Sequence, residues 1–97
     1  MNYAFHPEAE EEFLAAIDYY ENCRDGLGVD FAREVYVTIS SAAKYPAMWA
    51  QVDIDIHRCL VRRFPYGVLY SIEETKIFVL AVMHLHRDPN YWQERRG

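Results

Sequence analysis

The spacing of apolar residues changes once along this chain, and that change sets the fold class. From Pro7 to Lys44 apolar side chains recur at three- and four-residue steps, whereas from Ile56 to Met83 they alternate or run unbroken. The first half therefore predicts helices and the second strands. Helices grouped ahead of strands, instead of alternating with them, predict an α+β domain.

In the first half, Pro7 opens a helix at a position where its missing N–H costs nothing. Glu8, Glu10 and Glu11 complement the positive end of the helix dipole. Ala9, Phe13, Ala16, Ile17 and Tyr20 form its apolar stripe. Glu8, Glu11, Glu12, Ala15, Asp18 and Asn22 fall largely opposite, so the Glu8–Glu12 cluster reads as a solvated helix face and not as a catalytic carboxylate pair. Asp25-Gly26 stops this helix. A second runs from about Leu27 to Lys44 on the stripe Leu27, Phe31, Val35, Ile39 and Ala42, until Pro46 closes it. The short link between them predicts an antiparallel hairpin.

Residues 2–6 read as a short strand and 47–55 as a loop carrying Met48 and Trp49. Ile56 to Arg63 alternates, with Ile56, Arg58, Leu60 and Arg62 on one face and His57, Cys59, Val61 and Arg63 on the other. Phe64-Pro65-Tyr66-Gly67 can turn, and Val68 to Ile72 follows as a strand. Past Glu73-Glu74-Thr75, the stretch Lys76 to Met83 is nearly all apolar and should sit centrally. The expected order is β-α-α-β-β-β: a helical hairpin on one face of a small, mainly antiparallel sheet, in a single domain over residues 1–97. The other sheet face must be partly solvated or covered by something else.

A chain of 97 residues buries one modest core. No apolar run reaches bilayer length, and Met1-Asn2-Tyr3-Ala4-Phe5 lacks the regions of a signal peptide, so a cytoplasmic location away from the membrane is expected. Cys23 and Cys59 fit no metal-ligand spacing and read as free thiols. A net charge of −5 argues against coating nucleic acid non-specifically. That charge is unevenly spread. Residues 1–55 hold 3 Lys/Arg and 11 Asp/Glu; residues 56–97 hold 7 and 4. The basic half is where a polyanion-facing or partner-facing surface is expected.

Within it, His84 and His86 share a face of extended chain, yet only Asp88 is near as a third ligand, so neither metal nor cofactor is expected. Sheet-edge hydrogen bonding, anion contact or proton transfer suits them better. Arg58, Arg62, Arg63 and Arg87 are candidates for binding phosphate or carboxylate. Arg58 and Arg62 either pair with the acidic helices or line a concave site. Tyr66, Tyr70, Tyr91 and Trp92 have faces on which bases stack; Tyr70 reads as core, while Tyr91 and Trp92 lie beyond the last strand and suit a surface role. There is no Gly-rich phosphate loop, nucleophile motif or zinc pattern.

At these residues the chain resembles the RelE/ParE superfamily of toxins from type II toxin–antitoxin (plasmid stabilisation) modules. The resemblance is carried by His6-Pro7-Glu8-Ala9, Gly26-Leu27-Gly28, Tyr45-Pro46-Ala47-Met48-Trp49, the run Arg62 to Tyr70, Val79 to His84, Arg87-Asp88-Pro89 and Tyr91-Trp92, in that order. It implies a cytoplasmic toxin neutralised by a small antitoxin that wraps a segment around it. The complex would repress its own promoter, so operator DNA is met only through the antitoxin. A toxin homodimer or a toxin–antitoxin heterotetramer is implied equally.

The resemblance leaves the target open. The RelE branch cleaves mRNA on the ribosome with basic residues and a terminal tyrosine, a chemistry that needs proton transfer and cationic stabilisation. Position by position, this chain keeps Arg58 and Tyr91. It has Leu60 where a lysine is expected, Gly67 for the arginine after Tyr66, and Leu85 for another arginine. Arg62, His84 and Arg87 are the candidates to compensate, which makes Arg58, Arg62, His84, Arg87 and Tyr91 the expected catalytic set. The ParE branch instead poisons DNA gyrase without known hydrolytic chemistry, through surface shape and its C-terminal tail. A catalytically degenerate member acting only as an antitoxin-binding module is the third reading.

Overall fold

The computed structural model describes residues 1–96. Its elements are β1 (Asn2–Phe5), α1 (Pro7–Cys23), α2 (Leu27–Lys44), β2 (Ala50–Asp53), β3 (Ile56–Leu60), β4 (Tyr66–Ile72) and β5 (Lys76–His84), with a final 3-10 turn at Gln93–Arg95. The sheet runs β1-β5-β4-β3-β2. β1 lies parallel to β5, from Asn2 opposite Lys76 to Phe5 opposite Val79; the other pairs are antiparallel. The α1–α2 hairpin packs on one face, so the α+β architecture holds, and β5 is an interior strand along its first half as its apolar run predicts.

The helices form where the apolar period places them. His6 caps α1 by accepting the Glu8 N–H at Nδ1, and Pro7 follows at the first helical position. The two helices come close at Gly28, where a Cβ would stand 2.5 Å from the Ile17 carbonyl oxygen. Glu21 ties the link by accepting the N–H groups of Gly26 and Gly28 at 2.9 and 3.0 Å. Phe13, Phe31 and Phe64 pack at the centre of the helix-side core with Tyr20 and Tyr66. Tyr70 is fully buried there and donates its hydroxyl to the Pro46 carbonyl at 2.6 Å.

Three elements differ from expectation. The stretch 47–55 is not all loop: β2 pairs antiparallel with β3, making five strands where the pattern suggested four. Its residues are exposed or half-exposed on an edge, so no apolar alternation marks it. β3 stops at Leu60 and not at Arg63, because Arg63 takes a left-handed φ of 71°. β4 starts two residues early, at Tyr66, whose carbonyl accepts the Val61 N–H.

The second sheet face carries a small core of its own. Ile56, Leu69, Leu80, Ala81 and Met83 lie beneath Trp92, with Phe78 and Tyr91 packed alongside. A register shift opposite Leu69 and Tyr70, which pair with Ala81 and Val79, leaves Leu80 as an extra residue. Trp92 is 2% exposed and donates Nε1–H to the Pro89 carbonyl at 2.6 Å. It therefore has no surface role of the kind its place beyond the last strand suggested. The tail itself is what covers the face that the helices leave bare.

Candidate functional site

The polar side chains of the basic half gather around a residue from the acidic half. Glu12 is three residues after Ala9 and four before Ala16, both buried, so it borders the buried stripe of α1. It faces β5 where β1 has ended, since β1 pairs with β5 only as far as Val79. There Glu12 Oε1 accepts the Val82 N–H at 3.2 Å, while Arg95 donates to the Leu80 carbonyl at 3.0 Å and to Glu12 at 2.7 Å. An ion pair thus occupies the open strand edge that a longer β1 would have filled. The Glu12 side chain is only 13% exposed and that of Arg95 only 9%. The expected solvated face is corrected at this residue.

Two more groups converge on the same carboxylate. Tyr91 donates its hydroxyl to Glu12 Oε2, and Arg87 stands 3.4 Å from that oxygen. The Arg87 guanidinium lies 3.7 Å from the centre of the Tyr91 ring, and that of Arg95 lies 4.9 Å from it. Burial, and then the hydrogen bond to Glu12, push the Tyr91 phenol well above its ordinary value. Burial works to lower the Arg95 pKa, but hydrogen bonding and charge from Glu12 outweigh it and the net shift is upward.

The tail is tied at its other end to β2. Gln93 donates to Asp53 at 2.8 Å, and Arg96 reaches both Asp53, at 3.4 Å, and the Ile54 carbonyl. The Gln93 hydrogen bond, followed by the Ile54 N–H, holds the Asp53 carboxyl below its usual range. Residues 87–96 therefore strap the second sheet face from the β5 edge to the β2 edge.

His84 sits opposite Tyr66 in the β4–β5 register, and their rings meet edge to face at 5.2 Å. It borders a groove of about 320 Å³ with Glu12, Tyr19, Tyr66 and Arg87. Its Nδ1 accepts the His86 N–H at 3.1 Å. Among the described residues, no three His, Cys, Asp or Glu side chains come together to hold a metal.

Arg58 lies elsewhere. It lines a cleft of about 110 Å³ on the second sheet face with Val52, Leu69, Met83, Asn90 and Trp92. Its Nε is buried without a hydrogen-bond partner. Gly67, opposite Leu60, makes room for it: a Cβ there would come within 3.2 Å of Arg58 Cγ. Arg62 is exposed on the β3–β4 link, beside an Arg63 that reaches Asp30 and Glu34 at 3.8 and 3.7 Å. The five expected residues do not form one constellation. Arg87 and Tyr91 meet at Glu12 with His84 on the rim of the same groove, while Arg58 and Arg62 stand apart. Sequence reasoning missed Glu12 and Arg95; the signal for Glu12 was its helical spacing from Ala9 and Ala16.

Residues 3–89 match the family model for the ParE toxin of the type II toxin–antitoxin system parDE. Among solved structures, a chain from the chromosomal ParDE TA system of P. aeruginosa superposes with a TM-score of 0.74 at 12% identity, covering 89% of this chain and 97% of that one. At that identity the likeness speaks for the fold. No curated protein matches the chain.

Proposed function

Because the chain belongs to the ParE toxin family of type II toxin–antitoxin systems, we propose that it arrests growth by holding DNA gyrase and not by cleaving mRNA, and that a cognate antitoxin neutralises it in the cytoplasm. The observation that carries this reading is the convergence of Tyr91, Arg87 and Arg95 on the Glu12 carboxylate. A ribonuclease needs a proton acceptor and cations free to meet a phosphorane-like transition state. Here the tyrosine holds its proton more tightly than a free phenol and points it at Glu12. A carboxylate meets the nearby arginines before any phosphate does. At three further positions where the RelE branch uses cations, this chain has Leu60, Gly67 and Leu85.

In this reading Tyr91 and Arg95 position the tail, and Arg87 and His84 on the groove rim, with exposed Arg62, contact the target. Contact with operator DNA passes through the antitoxin complex, since a net charge of −5 opposes direct binding. The test sets purified toxin against gyrase-driven supercoiling and, separately, against mRNA on translating ribosomes. Stalled supercoiling with intact mRNA is the expected result. Ribosome-dependent cleavage that Tyr91→Phe abolishes would sink the reading.

A further inference from the structure

Arg58 is a half-buried arginine that the chain leaves without a charge partner. Arg63, Arg87, Arg95 and Arg96 each reach a carboxylate within 4.0 Å. The Arg58 side chain takes part in no ion pair or hydrogen bond among the described residues, and its Nε–H is shut away from water. The carboxylate that lines its cleft, Asp53, is already engaged by Gln93, the Ile54 N–H and Arg96. Gly67, buried in the sheet, keeps the lane open along which the arginine lies. A buried donor left unmade carries the full penalty of its lost hydration, and a partner that stays bound relieves it.

The surroundings decide the kind of partner. The cleft is small and walled by Val52, Leu69, Met83 and Trp92, and exposed Leu60 and Leu85 flank it across Gly67. A polynucleotide brings a row of phosphates and needs a row of cations. One guanidinium among apolar side chains suits one carboxylate carried between apolar residues on an extended protein segment.

We propose that the Arg58 cleft seats a single Asp or Glu of the cognate antitoxin, gripped by the Arg58 guanidinium while neighbouring apolar residues of that segment cover Leu60 and Leu85. The assignment rests on the antitoxin half of the function proposed above.

The test titrates purified full-length antitoxin into the toxin and its Arg58→Glu, Arg58→Lys and Arg58→Met variants, with circular dichroism to confirm that each is folded. Arg58→Glu should weaken binding at least roughly tenfold, Arg58→Met less and Arg58→Lys least. One Asp→Lys or Glu→Lys change in the antitoxin should restore the Arg58→Glu complex. Affinities within twofold of wild type across the folded variants would overturn the proposal. So would loss of gyrase inhibition, or of binding to a single-stranded RNA oligonucleotide, with antitoxin affinity unchanged. Should wild-type toxin fail to bind the antitoxin at all, the broader reading falls; wild-type binding with an indifferent Arg58→Glu sinks only this one.

Discussion

Arg95 and Arg58 are both arginines set against the same sheet, and they are used in opposite ways. Arg95 is pulled over the open edge of β5 and held by Glu12, Glu8 and the Leu80 carbonyl. Arg58 lies on the second face in a small cleft whose carboxylate, Asp53, is already held by Gln93 and Arg96. The difference teaches that counting arginines in the basic half overstates the charge on offer: most are neutralised by residues of the acidic half, and Arg58 and Arg62 are left free of ion pairs among the described residues. The positive charge around Glu12 is spent inside the chain, while that at Arg58 meets no free carboxylate among the described residues.

The comparison breaks most directly at Glu12. Glu12→Ala removes the acceptor for Arg95, Tyr91 and the Val82 N–H at once, leaving a largely buried guanidinium and an unpaired strand edge. Unfolding stability should fall by about 3 kcal/mol, the range for breaking a buried pair from one side. Urea denaturation at constant slope measures it. A loss below about 1 kcal/mol would mean that Glu12 is no anchor.

Much of this contrast could be read from the chain, and some could not. The helices stand out because burial imposes a period on them, and β5 because both its faces are covered, so Phe13, Phe31, Val35 and Val79 lie in the core as the pattern predicts. β2 carries no such mark: Gln51 and Val52 sit exposed at an edge, Gln51 paired with His57 and Val52 skipped at a register shift. At the candidate site, the basic and aromatic residues were visible, but their partner was not. Glu12 and Tyr91 are 79 positions apart, and their meeting depends on where β1 stops relative to β5. Trp92 is buried although it lies past the last strand, because the tail folds back onto anchors at Glu12 and Asp53 that no local pattern marks.

Tyr91→Phe tests the same junction with a smaller cut. It keeps the ring under Arg87 and removes the hydroxyl, so a loss of about 1 kcal/mol is expected at neutral pH. Alkali gives an independent reading. The folded Tyr91 pKa is raised, so its contribution is complete below the unfolded value of 10.0 and is lost as pH rises through the folded value. Stability followed between about pH 9 and 11 should therefore decline in wild type and decline less in Tyr91→Phe. Equal slopes would remove Tyr91 from the junction.

Arg58→Met should do the reverse of Glu12→Ala. Methionine keeps much of the aliphatic stem against Leu69, Met83 and Trp92 and discards a donor that has no partner. Stability should stay level or rise by up to about 1 kcal/mol. A loss of that size would show that Arg58 already has a structural role, and the division between the two arginine settings would fail.

The smallest effect is expected at Arg87, and it sharpens the comparison by asking how far the junction extends. Arg87 touches Glu12 at 3.4 Å and covers the Tyr91 ring, but its side chain is 54% exposed. Water screens such a pair, and Glu12 keeps Arg95 and the Tyr91 hydroxyl when Arg87 is gone. Arg87→Ala should therefore cost about 0.5 kcal/mol or less in the same urea titration. Combined with Tyr91→Phe it gives a double-mutant cycle. Additive losses would leave Arg87 at the rim, free to turn toward a target, whereas coupling above about 1 kcal/mol would place it inside the Glu12 network and withdraw it from the contact surface.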